Sequence, residues 1–277
     1  MAHLHFPHLL FAWFMDGHMY ITVSAVSAAI ATLDLRGVLA RMGTGVTRMK
    51  LHLSALWAMD VCQDIDKGNI LGMCGVDVPG GQVAHFMADS GQAKADAYKA
   101  AVDRIREESA HSWEWFRKGF PEKQPEHHHH GFFGGLLDAV AEYNPVTLAY
   151  KGAKEVVEEV EILDGARHLS RALHALQDSF SPAHTLRHGE SLVIQEIFAW
   201  DPYNKGKHDD DKYYGGYWPG HHTMDMVHHN DLTRSLEQSA KEASRDLIVA
   251  VVGNLYDSGG FRSELNGVLA RTMHKAW

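Results

Sequence analysis

Residues 165–179, GARHLSRALHALQDS, constrain this chain more than any other stretch. Leu169, Leu173 and Leu176 recur at spacings of four and three, the rhythm of one helical stripe. His174 and Asp178 are also four apart, so at about 3.6 residues per turn they share a face and can reach one point. Leu173 and Leu176 flank that pair, so the helix sets an imidazole and a carboxylate against a core and partly out of water. Pro182 then breaks the helix and His184 follows the turn. A hard carboxylate oxygen with imidazole nitrogens suits zinc. A His–Asp pair buried without metal is the competing reading.

The remaining long segments also read as helices. Residues 17–34 are apolar and rich in small residues, and 91–118 carry Ala, Lys, Asp and Glu in helical rhythm. Residues 145–162 open on Pro145 behind Asn144 as a cap, while 231–253, capped by Asp231, and 261–275 close the chain. No series of segments alternates as strands do, and no repeat period is visible. The expectation is an all-α fold, residues 1–277 forming a single multi-helix domain. Residues 72–81 are a Gly- and Pro-rich break, and 119–135 and 201–220 are loops inserted between helices.

Composition narrows the function. Apolar residues make up 45%, enough for a substantial core. The formal net charge of −9 argues against a broad basic surface for nucleic acid, since counterion release needs many Lys and Arg contacts. Twenty-one His residues, several times ordinary usage, make metal binding the first hypothesis. Cys62 and Cys74 are too few for a disulfide framework and lack CxxC spacing, so they read as two buried thiols, with an isolated disulfide as the alternative. No run of about 18 apolar residues is found, and a membrane-crossing helix is not expected. Residues 1–12 contain His3, His5, His8 and Pro7 without a basic start, which makes a poor export signal. The internal run His127 to His130 reads as a loop.

Further His and Asp residues follow in order. His221 and Asp225 form a second pair four apart. Trp13 stands five residues before His18, which opens the first long helix; Asp64 lies in QDID, and His85 leads into a polar turn. Together they read His18, Asp64, His85, His174-x3-Asp178-x5-His184, His221-x3-Asp225. This order resembles the superfamily of bacterial zinc-dependent phospholipases C and fungal single-strand-specific nucleases. HALQDSFSPAH matches that family's central His-x3-Asp-x5-His motif in residue type and spacing. The likeness spans residues 13–225, and the central motif is its specific part.

The resemblance implies an all-α fold of the zinc-dependent phospholipase C/nuclease type with up to three zinc ions. Asp64, His85, His174 and Asp178 would hold one, with Asp64 also carried into the catalytic role. Asp178 would bridge to a second ion at His18, joined by Trp13 only if residues 1–12 are removed and Trp13 becomes the N-terminus. His184, His221 and Asp225 would hold the third. The implied activity is phosphodiester hydrolysis by metal-activated hydroxide. A phospholipase C acting on phosphoglyceride headgroups at a membrane surface comes first. The aromatic run 213–218 and the pair Phe132 and Phe133 suit such a surface. A nuclease or 3′-nucleotidase on single-stranded nucleic acid is the alternative, and a non-catalytic helical module the third reading. No protein partner is predicted, and a secreted or exported protein is expected.

Overall fold

The computed structural model describes residues 16–43, 45–56, 81–121, 145–181, 184–188, 192–201, 207–208 and 231–277. These residues are mostly helical. Helix α1 (Asp16–Leu35) leads through the short α2 (Val38–Arg41) to α3 (Gly45–Ser54). A 3-10 helix (Gly81–His85) precedes strand β1 (Ala88–Asp89) and helix α4 (Lys94–Gly119). Helix α5 (Pro145–Asp178) is followed by β2 (Thr185–His188), β3 (Val193–Ile197), β4 (Ala199–Asp201) and β5 (Lys207–His208). Helices α6 (Asp231–Gly253) and α7 (Ser258–Thr272) end the chain.

Two helix pairings organise the core: α4 lies along α5, and α1 lies along α6. Ile21, Ala25, Ala29 and Leu33 form the buried stripe of α1, at spacings of four. Leu236, Ala240, Ala243, Leu247 and Val251 form that of α6. By length and composition alone His18–Leu35 is long and apolar enough to cross a membrane, with mean hydropathy 1.3. Small residues raise its hydropathy without forming an unbroken apolar run. Its buried stripe against α6 is that of a core helix.

One 34-residue helix replaces the two expected over 145–162 and 165–179. Gly165 reads as a break in isolation, yet its place is set by packing. A Cβ there would lie 2.8 Å from Phe116 Cδ1 and 3.0 Å from the Phe116 backbone nitrogen. Gly119 faces α5 in the same way, with its Cβ position 2.4 Å from Ile162 Cγ1. The two glycines let α4 and α5 approach closely, and this gain outweighs the cost of about 1 kcal/mol for a helical Gly. Gly119, expected in a loop, is thus the last residue of α4.

The short strands also depart from expectation. β2 and β3 form an antiparallel hairpin with an irregularity between Leu186 and Arg187. β1 pairs parallel to β4, which pairs antiparallel to β5. Strands of two to five residues are too short for alternation to register in a sequence. β4 and β5 also place Asp201, Lys207 and His208 in a sheet rather than in the expected loop 201–220.

Gly165→Ala tests the helix crossing. The substitution gains helix propensity but overpacks against Phe116, so a net loss of about 1–3 kcal/mol is expected in urea unfolding.

Candidate metal centre

His174 and Asp178 lie in the last turn of α5, on the face that Leu169, Leu173 and Leu176 bury. Around Asp178 gather His18 from the first turn of α1, His85 from the end of the 3-10 helix, and His184 from the turn after α5. All five are buried, Asp178 with 1% of its surface exposed.

Backbone bonding explains how distant residues reach this place. Ala88 N–H donates to the Phe198 carbonyl at 2.9 Å, and Phe198 N–H donates to the His184 carbonyl at 2.9 Å. The β-structure missed in the sequence therefore ties the segment after His85 to the residue His184 itself. Phe86, next to His85, has φ 53 and is fully buried, edge-on to Tyr98. A left-handed Phe costs about 1–2 kcal/mol, and surrounding packing sustains it.

The turn beyond α5 is closed by its own side chains. Thr185 Oγ1 donates to the Ser179 carbonyl at 2.7 Å, and His184 N–H donates to the Ser181 carbonyl at 3.0 Å. Arg187 clamps this turn from a buried position. Its Nε donates to Ser179 O at 2.6 Å, and one terminal nitrogen donates to Leu192 O at 2.8 Å and Thr272 O at 2.9 Å. The other reaches Ser179 Oγ at 3.0 Å, and the guanidinium lies 4.1 Å over the Phe180 ring. Burial pushes the guanidinium down to about 9. Nothing in the sequence singled out this residue.

The two oxygens of Asp178 face different imidazoles. Oδ2 lies 3.1 Å from His85 Nδ1 and 3.0 Å from His174 Nε2. Those two nitrogens are 3.2 Å apart, which completes a nearly equilateral triangle. Oδ1 lies 3.1 Å from His18 Nε2 and 3.4 Å from His184 Nδ1. The His18 and His174 rings stack with centroids 4.4 Å apart. Donor atoms of His18, His174 and Asp178 lie within 4.8 Å of one another.

These separations fit a cation. Zinc bonds of about 2.1 Å at tetrahedral angles put neighbouring ligand atoms about 3.4 Å apart. The sides of the His85–His174–Asp178 triangle, 3.0 to 3.2 Å, are close to that spacing, so these three residues would hold an ion between them. Protons alone fit less well. No hydrogen bond of good geometry reaches Asp178 Oδ1 among the described residues, although two ring nitrogens stand within 3.4 Å. Charging both stacked rings would set two cations face to face. Burial opposes ionisation of Asp178 and is the largest single influence. The fields of His184, His174 and His18 prevail and hold the carboxyl well below its usual range.

Thus His18 and His85, read at distant places in the sequence, stand together with His174, Asp178 and His184 of the central motif. Asp64, His221, Asp225 and Trp13 lie outside the described residues, as do Cys62, Cys74 and His127 to His130. Sequence reasoning missed Gln177, buried beside Asp178, whose Oε1 is 2.7 Å from His18 Nδ1. A polar residue three positions after His174 on an apolar helix face was the available signal.

Comparison with family models, curated proteins and solved structures gives no match to this chain.

Two outcomes are expected. Asp178→Asn keeps the shape but removes the charge shared by all four imidazoles, so zinc retained after dialysis, measured by elemental analysis, should fall at least tenfold. Arg187→Lys leaves at least two of the buried acceptors unmatched and should cost about 2 kcal/mol or more in chemical unfolding.

Proposed function

We propose that this protein is a zinc-dependent phosphodiester hydrolase, and specifically a phospholipase C that cleaves phosphoglyceride headgroups. The observation that carries the reading is Asp178. A buried carboxylate with each oxygen facing a separate group of imidazole nitrogens is arranged to bridge two cations. The His order along the chain and the His-x3-Asp-x5-His spacing support the family resemblance.

The donor set suits zinc, since imidazoles and one carboxylate are its ordinary ligands. His85, His174 and Asp178 Oδ2 would hold one ion, and His18 with Asp178 Oδ1 a second. Zinc bound there supplies Lewis acidity and lowers the pKa of water, which is the chemistry phosphodiester hydrolysis needs. The Asp178 carboxylate would offset the repulsion between two such dications. Each imidazole would bind an ion through a ring lone pair, and burial keeps bulk water from competing for the site. Asp64, His221 and Asp225 complete the proposed ligand set.

Lipid is favoured over nucleic acid by charge and by surface. A net charge of −9 repels a polyanion. Tyr20 and Val23 of α1 are 45% and 50% exposed and offer apolar surface to a lipid interface.

The test is an assay with zinc present on phosphatidylcholine vesicles and on single-stranded oligonucleotides. Phosphorylated headgroup should be released, and release should stop with chelator or in Asp178→Asn. Oligonucleotide cleavage without headgroup release would establish the nuclease alternative instead. Bound zinc with neither activity would favour a non-catalytic module.

A further inference from the structure

Gln177 is buried at 1% exposure where helices α5, α1 and α6 meet. Its Oε1 lies 2.7 Å from His18 Nδ1. Its Nε2 donates to Thr22 Oγ1 at 3.0 Å and to Ser244 Oγ at 3.2 Å. Both amide hydrogens are thereby used on hydroxyls of two different helices, which leaves the carbonyl oxygen to face the imidazole. An amide oxygen only accepts, so His18 must carry its proton on Nδ1. Nε2 then presents a lone pair to the region of Asp178 Oδ1, 3.1 Å away.

The reverse amide orientation would place the proton of His18 on Nε2. That proton would then have to serve Asp178 Oδ1. Yet the 3.1 Å contact is misaligned for a hydrogen bond, and Oδ1 receives none of good geometry among the described residues. The observed orientation avoids this conflict, because a lone pair and a carboxylate oxygen set side by side both address a cation lying off the line between them.

We infer that Gln177 is the positioning residue of the His18 half of the metal centre. Braced by Thr22 and Ser244, its amide fixes the tautomer and the tilt of the His18 ring before any ion arrives. Metal-binding histidines commonly donate their remaining ring N–H to a fixed acceptor, and losing that acceptor typically weakens metal affinity 10–100-fold. The His85–His174–Asp178 Oδ2 triangle is made by ring nitrogens other than those of His18. The inference rests on the metal reading, and adds that the two halves are separable.

The experiment compares full-length wild type, Gln177→Leu and Gln177→Glu. Zinc binding is followed by titration against a chromophoric chelator, and His18 by long-range proton–nitrogen NMR. Wild type should show His18 protonated on Nδ1. Gln177→Leu, close in volume but without an acceptor, should lose one class of zinc site by 10–100-fold and spare the other. Gln177→Glu keeps the acceptor and should restore the weakened class. Should Gln177→Leu fold poorly, the Thr22→Val, Ser244→Ala double variant loosens the same amide and should shift the same site. Wild-type protein that loads zinc while the folded variants load identically overturns the role of Gln177 alone, as does a His18 proton found on Nε2. A wild type that takes up no zinc overturns the metal reading together with this one.

Discussion

A carboxylate removed from water is the constraint on which this fold depends. Asp178 is almost wholly buried, and an uncompensated charge in such a place would cost several kcal/mol. Its compensation comes from four imidazoles carried by α1, the 3-10 helix, α5 and the turn beyond it. The elements can close on one another because those rings meet the carboxylate, and the rings converge because the elements close. Site and core are therefore one construction. Leu169, Leu173 and Leu176 supply the apolar seat, and His174 and Asp178 stand at its end.

The approach of α4 to α5 is what gives that seat its depth. Gly119 and Gly165 remove the side chains that would hold the helices apart, and Phe116 fills the space between. At the other end, short strands do what long ones do elsewhere: they fix backbone segments relative to each other. The chain of bonds from Ala88 to Phe198 to His184 holds two imidazole-bearing segments in register. Arg187 adds a buried guanidinium whose donors satisfy backbone carbonyls of three separate segments. A planar fork of five donors spans acceptors set this far apart, whereas the three donors of an ammonium all radiate from one nitrogen.

Much of the helical framework was legible in the sequence, because an amphipathic period writes itself into residue order. Helix α6 spans the expected residues 231–253, and α1 and α4 differ from expectation by a few residues at their ends. The division of α5 between residues 162 and 165 was misread, since local propensity cannot reveal a neighbouring helix that requires the absence of a Cβ. The strands were invisible for want of length. Gln177 and Arg187 were passed over because their meaning lies in partners that are remote in sequence, such as Ser244 and Thr272.

By itself the sequence determined that the chain is mostly helical, and that an imidazole and a carboxylate four residues apart must share one face of a helix. Both follow from local geometry, which depends on spacing alone. Tertiary structure decided which other histidines join that pair, on which oxygen of Asp178 each one bears, and how an amide and a guanidinium hold the surroundings. Those choices rest on separations of about 3 Å between groups up to 160 residues apart. Chain order carries no distance of that kind until the helices have packed.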